Sequence, residues 1–318
     1  MNWPAALQPD AAADVAAALP DCLANAAARA RVAALARCWP VGAAGQILEL
    51  RLDGRSGAVD ISQAFLPPAL ADLHGFAQRH PELARLSACL SWAAGAGQPR
   101  SLWLEWDLAE TGAPDAAALP SLFLAPPLPA AADPAAFFGQ ALHLLNLGDL
   151  VPRLSEILQI LPPGTSLRQL GVMLPRPERL VRLVLDTGGQ AGAKAVVENL
   201  CPKHGTALAR LFAIPGFAQA PRLDLDLTPN GIGPRLSLEL PSLALSPAAM
   251  AEALGGLAAV GVIDAGAARA LTRLAVWRRI DDRCTSGLSH LKASAEPGGR
   301  IEVKAYLGLV AQAEVVFA

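Results

Sequence analysis

Polar side chains recur at every second residue in several short runs of this sequence. Glu49-Leu50-Arg51, Trp103-Leu104-Glu105-Trp106-Asp107, Asp224-Leu225-Asp226, His290-Leu291-Lys292 and Lys304-Ala305-Tyr306 each set such groups two apart. Successive side chains of a strand point to opposite faces, so each run gathers its polar groups on one side. Arg182 between Val181 and Leu183, and Glu239 between Leu238 and Leu240, repeat the arrangement with one charge each. Cations on such faces hold anions, and carboxylates hold cations or carry protons. Asp224-x-Asp226 also has a spacing that admits magnesium, although acids two apart on a strand face are more commonly salt-bridged.

These faces need strands to carry them. Period-two alternation runs through 46–53, 102–107, 180–185, 222–227, 235–240, 289–294 and 301–308. Turn signals join most of these into hairpins: Asp53-Gly54-Arg55, Pro175-Arg176-Pro177, Thr228-Pro229-Asn230-Gly231 and Glu296-Pro297-Gly298-Gly299. The pairs are 48–52 with 57–61, 171–174 with 180–185, 223–227 with 235–240, and 288–295 with 301–309. A weaker pair is 102–108 with 122–124. The five hairpins begin near 46, 102, 169, 222 and 287, about 50 to 70 residues apart.

Helical stretches at 11–38, 81–92, 150–161 and 191–212 fill the gaps. Asp133-Pro134 and Ser246-Pro247 read as N-caps with proline in the first turn, and Asp264 caps a further helix running through Trp277. Ten strands in consecutive hairpins, alternating with helix pairs, predict an α+β fold. It is a closed antiparallel β-barrel of five αββα repeats inside a ring of helices, because closure removes exposed strand edges. On this reading residues 1–318 form one domain; two side-by-side α+β domains are the alternative.

If helices cover the aliphatic face all round, the charged face points into the barrel. It carries Glu49, Arg51, Trp103, Glu105, Asp107, Arg182, Asp224, Asp226, Glu239, His290, Lys292, Glu302, Lys304 and Tyr306. Unpaired buried charge costs several kcal/mol, so such a lumen needs water or a polar ligand. A solvated outer face on an ordinary amphipathic sheet is the plainer alternative.

Composition narrows the function classes. The 26 Lys plus Arg against 28 Asp plus Glu leave no basic surplus for nucleic acid. The longest uncharged stretch, 116–132, carries Pro120, Pro126, Pro127 and Pro129, which break a membrane-spanning helix. Met1-Asn2-Trp3-Pro4 lacks a signal-peptide pattern, and the 5 cysteines are widely spaced, so a reduced cytoplasmic protein is expected. His74, His80, His143 and His204 have no ligand spacing, and Cys284 reads as structural. No nucleophile-elbow, phosphate-loop or zinc signature is present.

Five such repeats around a polar ten-stranded lumen resemble the ABBA-type prenyltransferases. Two segments are similar to the peptide prenyltransferases that modify cyanobactin-like ribosomal peptides. These are Gly171-Val172-Met173-Leu174 with Leu180-Val181-Arg182-Leu183, and Leu288-Ser289-His290-Leu291-Lys292 with Glu302-Val303-Lys304-Ala305-Tyr306-Leu307-Gly308. The resemblance implies transfer of an isoprenyl group, often dimethylallyl, from its diphosphate to a nucleophile of a peptide, or of a small aromatic or guanidine acceptor. It implies that inward Arg51, Arg182, His290, Lys292, Lys304 and Tyr306 hold the diphosphate, with Lys304-Ala305-Tyr306 matching the family's Lys-x-Tyr pattern. Glu49, Glu105 and Asp107 are then the catalytic acids, and Trp103, Asp224, Asp226 and Glu239 the acceptor contacts. No tightly bound cofactor is implied: dimethylallyl diphosphate is a co-substrate and magnesium is compatible but not required. The partners are the isoprenyl diphosphate and its acceptor, with no nucleic acid and no membrane, in a monomer or weak homo-oligomer. The chain departs from the family in its single tyrosine, in its many inward acids, and in having no basic residue around 122–124. A non-catalytic binding barrel of the same fold, or a helix-surface scaffold, are the alternatives.

Overall fold

The computed structural model describes residues 7, 10–38, 42–52, 59–108, 119–127, 133–176, 179–242, 245–280 and 284–311. The strands are β1 (Gly45–Arg51), β2 (Val59–Phe65), β3 (Ser101–Trp106), β4 (Ser121–Ala125), β5 (Ser166–Val172), β6 (Val181–Asp186), β7 (Arg222–Thr228), β8 (Gly231–Pro241), β9 (Arg278–Arg279), β10 (Thr285–Ala295) and β11 (Ile301–Val310). Apart from β9, they form one closed antiparallel ring of ten, in which β11 pairs with both β10 and β1. The short β9 lies outside the ring, paired with Thr285 and Ser286 of β10.

A pair of helices precedes each hairpin: α1 (Ala11–Ala18) and α2 (Ala26–Cys38), α3 (Leu70–Gln78) and α4 (Ala84–Trp92), α5 (Pro134–Leu144) and α6 (Val151–Gln159), α7 (Gln190–Leu200) and α8 (Gly205–Phe212), α9 (Pro247–Ala259) and α10 (Ala265–Leu274). Several of the predicted helices are interrupted. The helix expected over 11–38 stops before Pro20, and that over 191–212 stops before Pro202, because proline cannot continue the hydrogen-bond ladder. The helix expected through Trp277 ends at Leu274, and the chain turns into β9. The three predicted caps are present: Asp133, Ser246 and Asp264 each accept a first-turn backbone N–H. Strand bounds also move. β2 runs to Phe65 and β5 begins at Ser166, both beyond their predicted limits. The turns at 53–55 and at Pro177, and the Pro129 end of the stretch 116–132, lie outside the described residues.

The aliphatic sides of the strands make the core. Leu48, Leu50, Ile61, Leu104, Leu183, Leu225, Leu238, Leu291 and Leu307 are fully or almost fully buried beneath helix residues such as Phe138, Leu142, Leu211 and Leu271. Hydrophobic burial on this outer surface forces the alternate residues inward. The hairpin-joined ends of the strands lie at one mouth of the barrel and the ends that meet the helix pairs at the other.

Candidate active site in the barrel lumen

Cross-strand partners share a face, so the register states which groups line the lumen. Glu49 pairs with Asp60 and Tyr306, Ser62 with Glu105, Trp103 with Phe123, Phe123 with Gly171, Arg182 with Asp226, and Lys292 with Glu239 and Lys304. Every candidate site residue read from the sequence faces inward. They do not form one cluster: the cations lie towards the hairpin-side mouth, and Trp103 lies nearer the helix-side mouth.

Near the hairpin-side mouth, charges meet in pairs. Arg51 donates from Nη2 and Nε to Asp60, at 2.7 and 3.1 Å, and approaches Asp107 at 3.6 Å. Asp60 also accepts from the Leu108 backbone N–H at 2.9 Å. Arg182 makes a two-pronged pair with Asp226 at 2.8 and 3.2 Å. Arg235 donates to Glu302 at 2.7 Å. These contacts enclose a cavity of about 300 Å³ lined by Arg51, Asp107, Arg176, Arg182, Arg235, Lys292, Glu302, Val303 and Lys304. The four inward cations named from the sequence, Arg51, Arg182, Lys292 and Lys304, thus converge on one cavity.

Deeper in, Lys304 donates to Glu49 and Lys292 to Asp224, with Glu239 3.5 Å from the Lys292 Nζ. Burial alone would raise the Glu49 carboxyl, but Lys304 and the Tyr306 hydroxyl hold it far below its usual range. Burial likewise opposes the charged form of Arg182, yet Asp226 keeps it charged and Arg182 keeps the Asp226 carboxyl low. Asp224 is pushed up to about 6 by burial and by Glu239, against the pull of Lys292. Its Oδ1 is buried without a hydrogen-bond partner among the described residues. His290 stacks on Tyr306 with ring centroids 4.0 Å apart. Burial, with Arg222 and Lys292 nearby, holds its imidazole neutral, at about 3.

Glu105 differs from its neighbours. Its only contact of this kind is with the Ser62 hydroxyl at 3.4 Å, and no cation lies within ion-pair distance among the described residues. Burial and the Glu49 charge push it up to about 7, so it exchanges a proton near neutrality. On the neighbouring rung Trp103 opposes Phe123, and the Phe123 ring lies over Gly171, whose missing Cβ would stand 2.4 Å from it.

Sequence reading missed several inward groups, Asp60, Phe123 and Arg168 among them. Asp60 lies in β2 beyond a predicted turn, in a run too short to show its alternation. Phe123 sits in a strand read as weak. Arg168 lies before the predicted start of β5. Asp224 and Asp226, spaced for a metal, are each committed to a cation, and no cluster of three metal-ligating side chains occurs among the described residues. His204 stands at the start of α8 and is fully buried, its Nε2 3.0 Å from the Pro234 carbonyl oxygen. Cys284 is buried beside the first residue of β10. No helix among the described residues is long and apolar enough to cross a membrane.

No protein-family model matches the sequence, and no curated protein does. Solved structures do. The apo form of the prenyltransferase PriB is 17% identical over 96% of each chain, with a TM-score of 0.61. The 5-dimethylallyltryptophan synthase of Streptomyces coelicolor is 20% identical over 93% of each chain, with a TM-score of 0.55. A ternary complex of PriB with L-tryptophan and dimethylallyl thiolodiphosphate aligns over 96% of each chain at 17% identity and a TM-score of 0.58.

Proposed function

We propose that this chain, which has the ten-stranded barrel of the ABBA-type prenyltransferases, itself transfers an isoprenyl group, dimethylallyl by preference, from its diphosphate to an acceptor held in the lumen. The observation that carries this reading is the hairpin-side cavity, where six cations and two carboxylates share about 300 Å³. That volume is at the lower end of the range for small-molecule sites, about 300–1,000 Å³.

In this reading Arg51, Arg182, Lys292 and Lys304 take the departing diphosphate, with His290 and Tyr306 behind them. Breaking the allylic C–O bond leaves negative charge on the diphosphate, which cations stabilise as it develops. The allyl cation needs a dry, π-rich wall, which Trp103 and Phe123 supply, with the His290–Tyr306 stack across the lumen. The acceptor nucleophile forms the new bond to the allyl carbon and gives up a proton. Glu105, in its carboxylate form, is the base that receives it, because Glu49 is committed to Lys304 and Tyr306, and Asp107 to Arg51. Asp224 through its Oδ1, and Glu239, offer contacts to a basic acceptor, a peptide side chain or a guanidine, while Asp226 can do so only by sharing Arg182.

Calorimetric titration with dimethylallyl thiolodiphosphate tests the donor half. Binding should weaken at least tenfold in Lys304→Ala, and an absence of binding at millimolar concentration would sink the proposal. Incubation of dimethylallyl diphosphate with candidate acceptors should give a mass gain of one isoprene unit.

A second reading has its own observation. Arg51, Arg182, Lys292 and Lys304 are all already neutralised by a carboxylate, as in a barrel that binds a ligand without turnover. Donor binding with no transferred isoprene on any acceptor would favour it.

A further inference from the structure

Arg100, Arg168 and Arg222 stand at the helix-side mouth, across the lumen from the donor cavity. Arg100 precedes β3, with its backbone N–H on the Ala125 carbonyl at 3.1 Å. Arg222 opens β7. Arg168 sits in a bulge of β5, where Leu167 pairs with Leu185 but Gln169 pairs with Val184. A bulge re-aims one side chain, and here it brings Arg168 to 4.0 Å from Asp186 on β6.

These arginines are poorly compensated. The Arg222–Glu239 distance is 3.9 Å, and Glu239 is shared with Lys292 at 3.5 Å. Arg100 has no carboxylate within ion-pair distance among the described residues. At the other mouth, by contrast, Arg51, Arg182 and Arg235 each reach an acid at 2.7 or 2.8 Å. The helix-side contacts exceed hydrogen-bond length, although the Arg168 and Arg222 side chains are only 22% and 16% exposed. Burial, with the charges of Arg222 and Arg100, pushes the Arg168 guanidinium down to about 10, and burial with Arg222 lowers Arg100 as well. The groups facing them are Asp186, Glu239 and the neutral His290. Asp186 is 42% exposed at its side chain and so only weakly offsets them. Three guanidiniums repel one another alone and bind well around an oxyanion, whose oxygens fit their planar forks.

We propose that Arg100, Arg168 and Arg222 form a second oxyanion site, separate from the donor cavity, that receives the carboxylate or phosphate end of a second ligand. Its identification with the acceptor rests on the prenyl-transfer reading; the site does not. Trp103 and Phe123 lie on the inward face between the two basic zones, so an acceptor anchored by its anionic end would extend its ring or chain past them towards the donor.

Calorimetry on the wild type and Arg168→Gln, with Arg222→Gln as a second variant should the first not fold, tests this. The probes are N-acetyltryptophan, its uncharged amide, and inorganic diphosphate, each added with the donor cavity saturated by dimethylallyl thiolodiphosphate. At least one anionic probe should bind the wild type and lose tenfold or more in the variant, while the amide binds weakly to both. Loss confined to N-acetyltryptophan assigns a carboxylate, and loss confined to diphosphate assigns a phosphate. The donor analogue should change less than twofold, and the ligand-free variant should melt at or above the wild-type temperature, because a repelling charge has gone. Equal binding of every anionic probe to wild type and variant would overturn the site. So would a lowered melting temperature accompanied by parallel loss of the donor analogue, which marks a structural arginine. Should the donor analogue fail on the wild type while an anionic probe still binds through Arg168, the prenyl-transfer reading falls and this site stands.

Discussion

Arg182 and Asp226 oppose each other across β6 and β7 with almost no exposure. Removing one partner strands a buried charge. Arg182→Met should therefore cost about 3–5 kcal/mol, and Arg182→Met with Asp226→Leu should recover most of it, as read by denaturant unfolding. Glu105 behaves differently. Its folded pKa of about 7 lies above the ordinary 4.5, so the native state holds a proton that the unfolded chain has released. Its stabilising contribution is complete below about pH 4.5 and is lost as pH rises through 7. The stability of Glu105→Gln relative to wild type should thus increase by about 3 kcal/mol between pH 4.5 and 8, with a flat difference across that range refuting the assignment. The placement of these side chains was largely legible. Charges two apart in otherwise aliphatic runs can only share a strand face, and every residue singled out does face inward. What the sequence concealed was pairing, because Asp60 and Glu49 reach their cations only through register. Arg168 was hidden for another reason: its bulge breaks the period-two count at the residue that matters.

At the scale of elements, capping and close approach decide what a substitution does. Asp264 accepts from the Gly266 and Ala267 N–H groups at 2.6 and 3.1 Å, so Asp264→Ala should cost about 1 kcal/mol through the unsatisfied first turn of α10. Gly171 leaves room for the Phe123 ring within the barrel wall. Gly171→Ala should push that ring into the lumen, costing about 1–3 kcal/mol. If the ring helps shield the allyl cation, the same change should lower kcat more than it raises KM in a transfer assay. Helices and hairpins were predictable where the signal was local: Asn230-Gly231, Pro297-Gly298 and the three caps all operate within a few residues. The limits of β2 and β5 were not, since the strands are lengthened by pairing to neighbours far along the chain. The end of α10 at Leu274 was also hidden. Trp277 is drawn instead against Gly287, which has no side chain to keep it away.

For the whole molecule, the lumen is a balanced set of charges into which, on the prenyl-transfer reading, a diphosphate must be admitted. Burial and Glu49 push the Asp60 carboxyl up, and Glu105 and Asp224 titrate near 7 and 6. An added anion raises such groups further, so donor binding should take up about one proton and weaken by up to about tenfold per unit of rising pH across that range. Calorimetry in buffers of different ionisation enthalpy reads this uptake directly, and a buffer-independent heat would contradict it. The closed ring has a consequence for biogenesis. Gly45 at one side of the seam pairs with Val310 at the other, so the first strand of the barrel cannot gain its second neighbour until the other nine strands have been made. Four of the five hairpins can form as they leave the ribosome, but each of them waits with an open edge. Seam contacts of such high sequence separation place this fold among slow folders, and it is during that interval, rather than in the finished barrel, that the protein is most exposed to strand-to-strand aggregation.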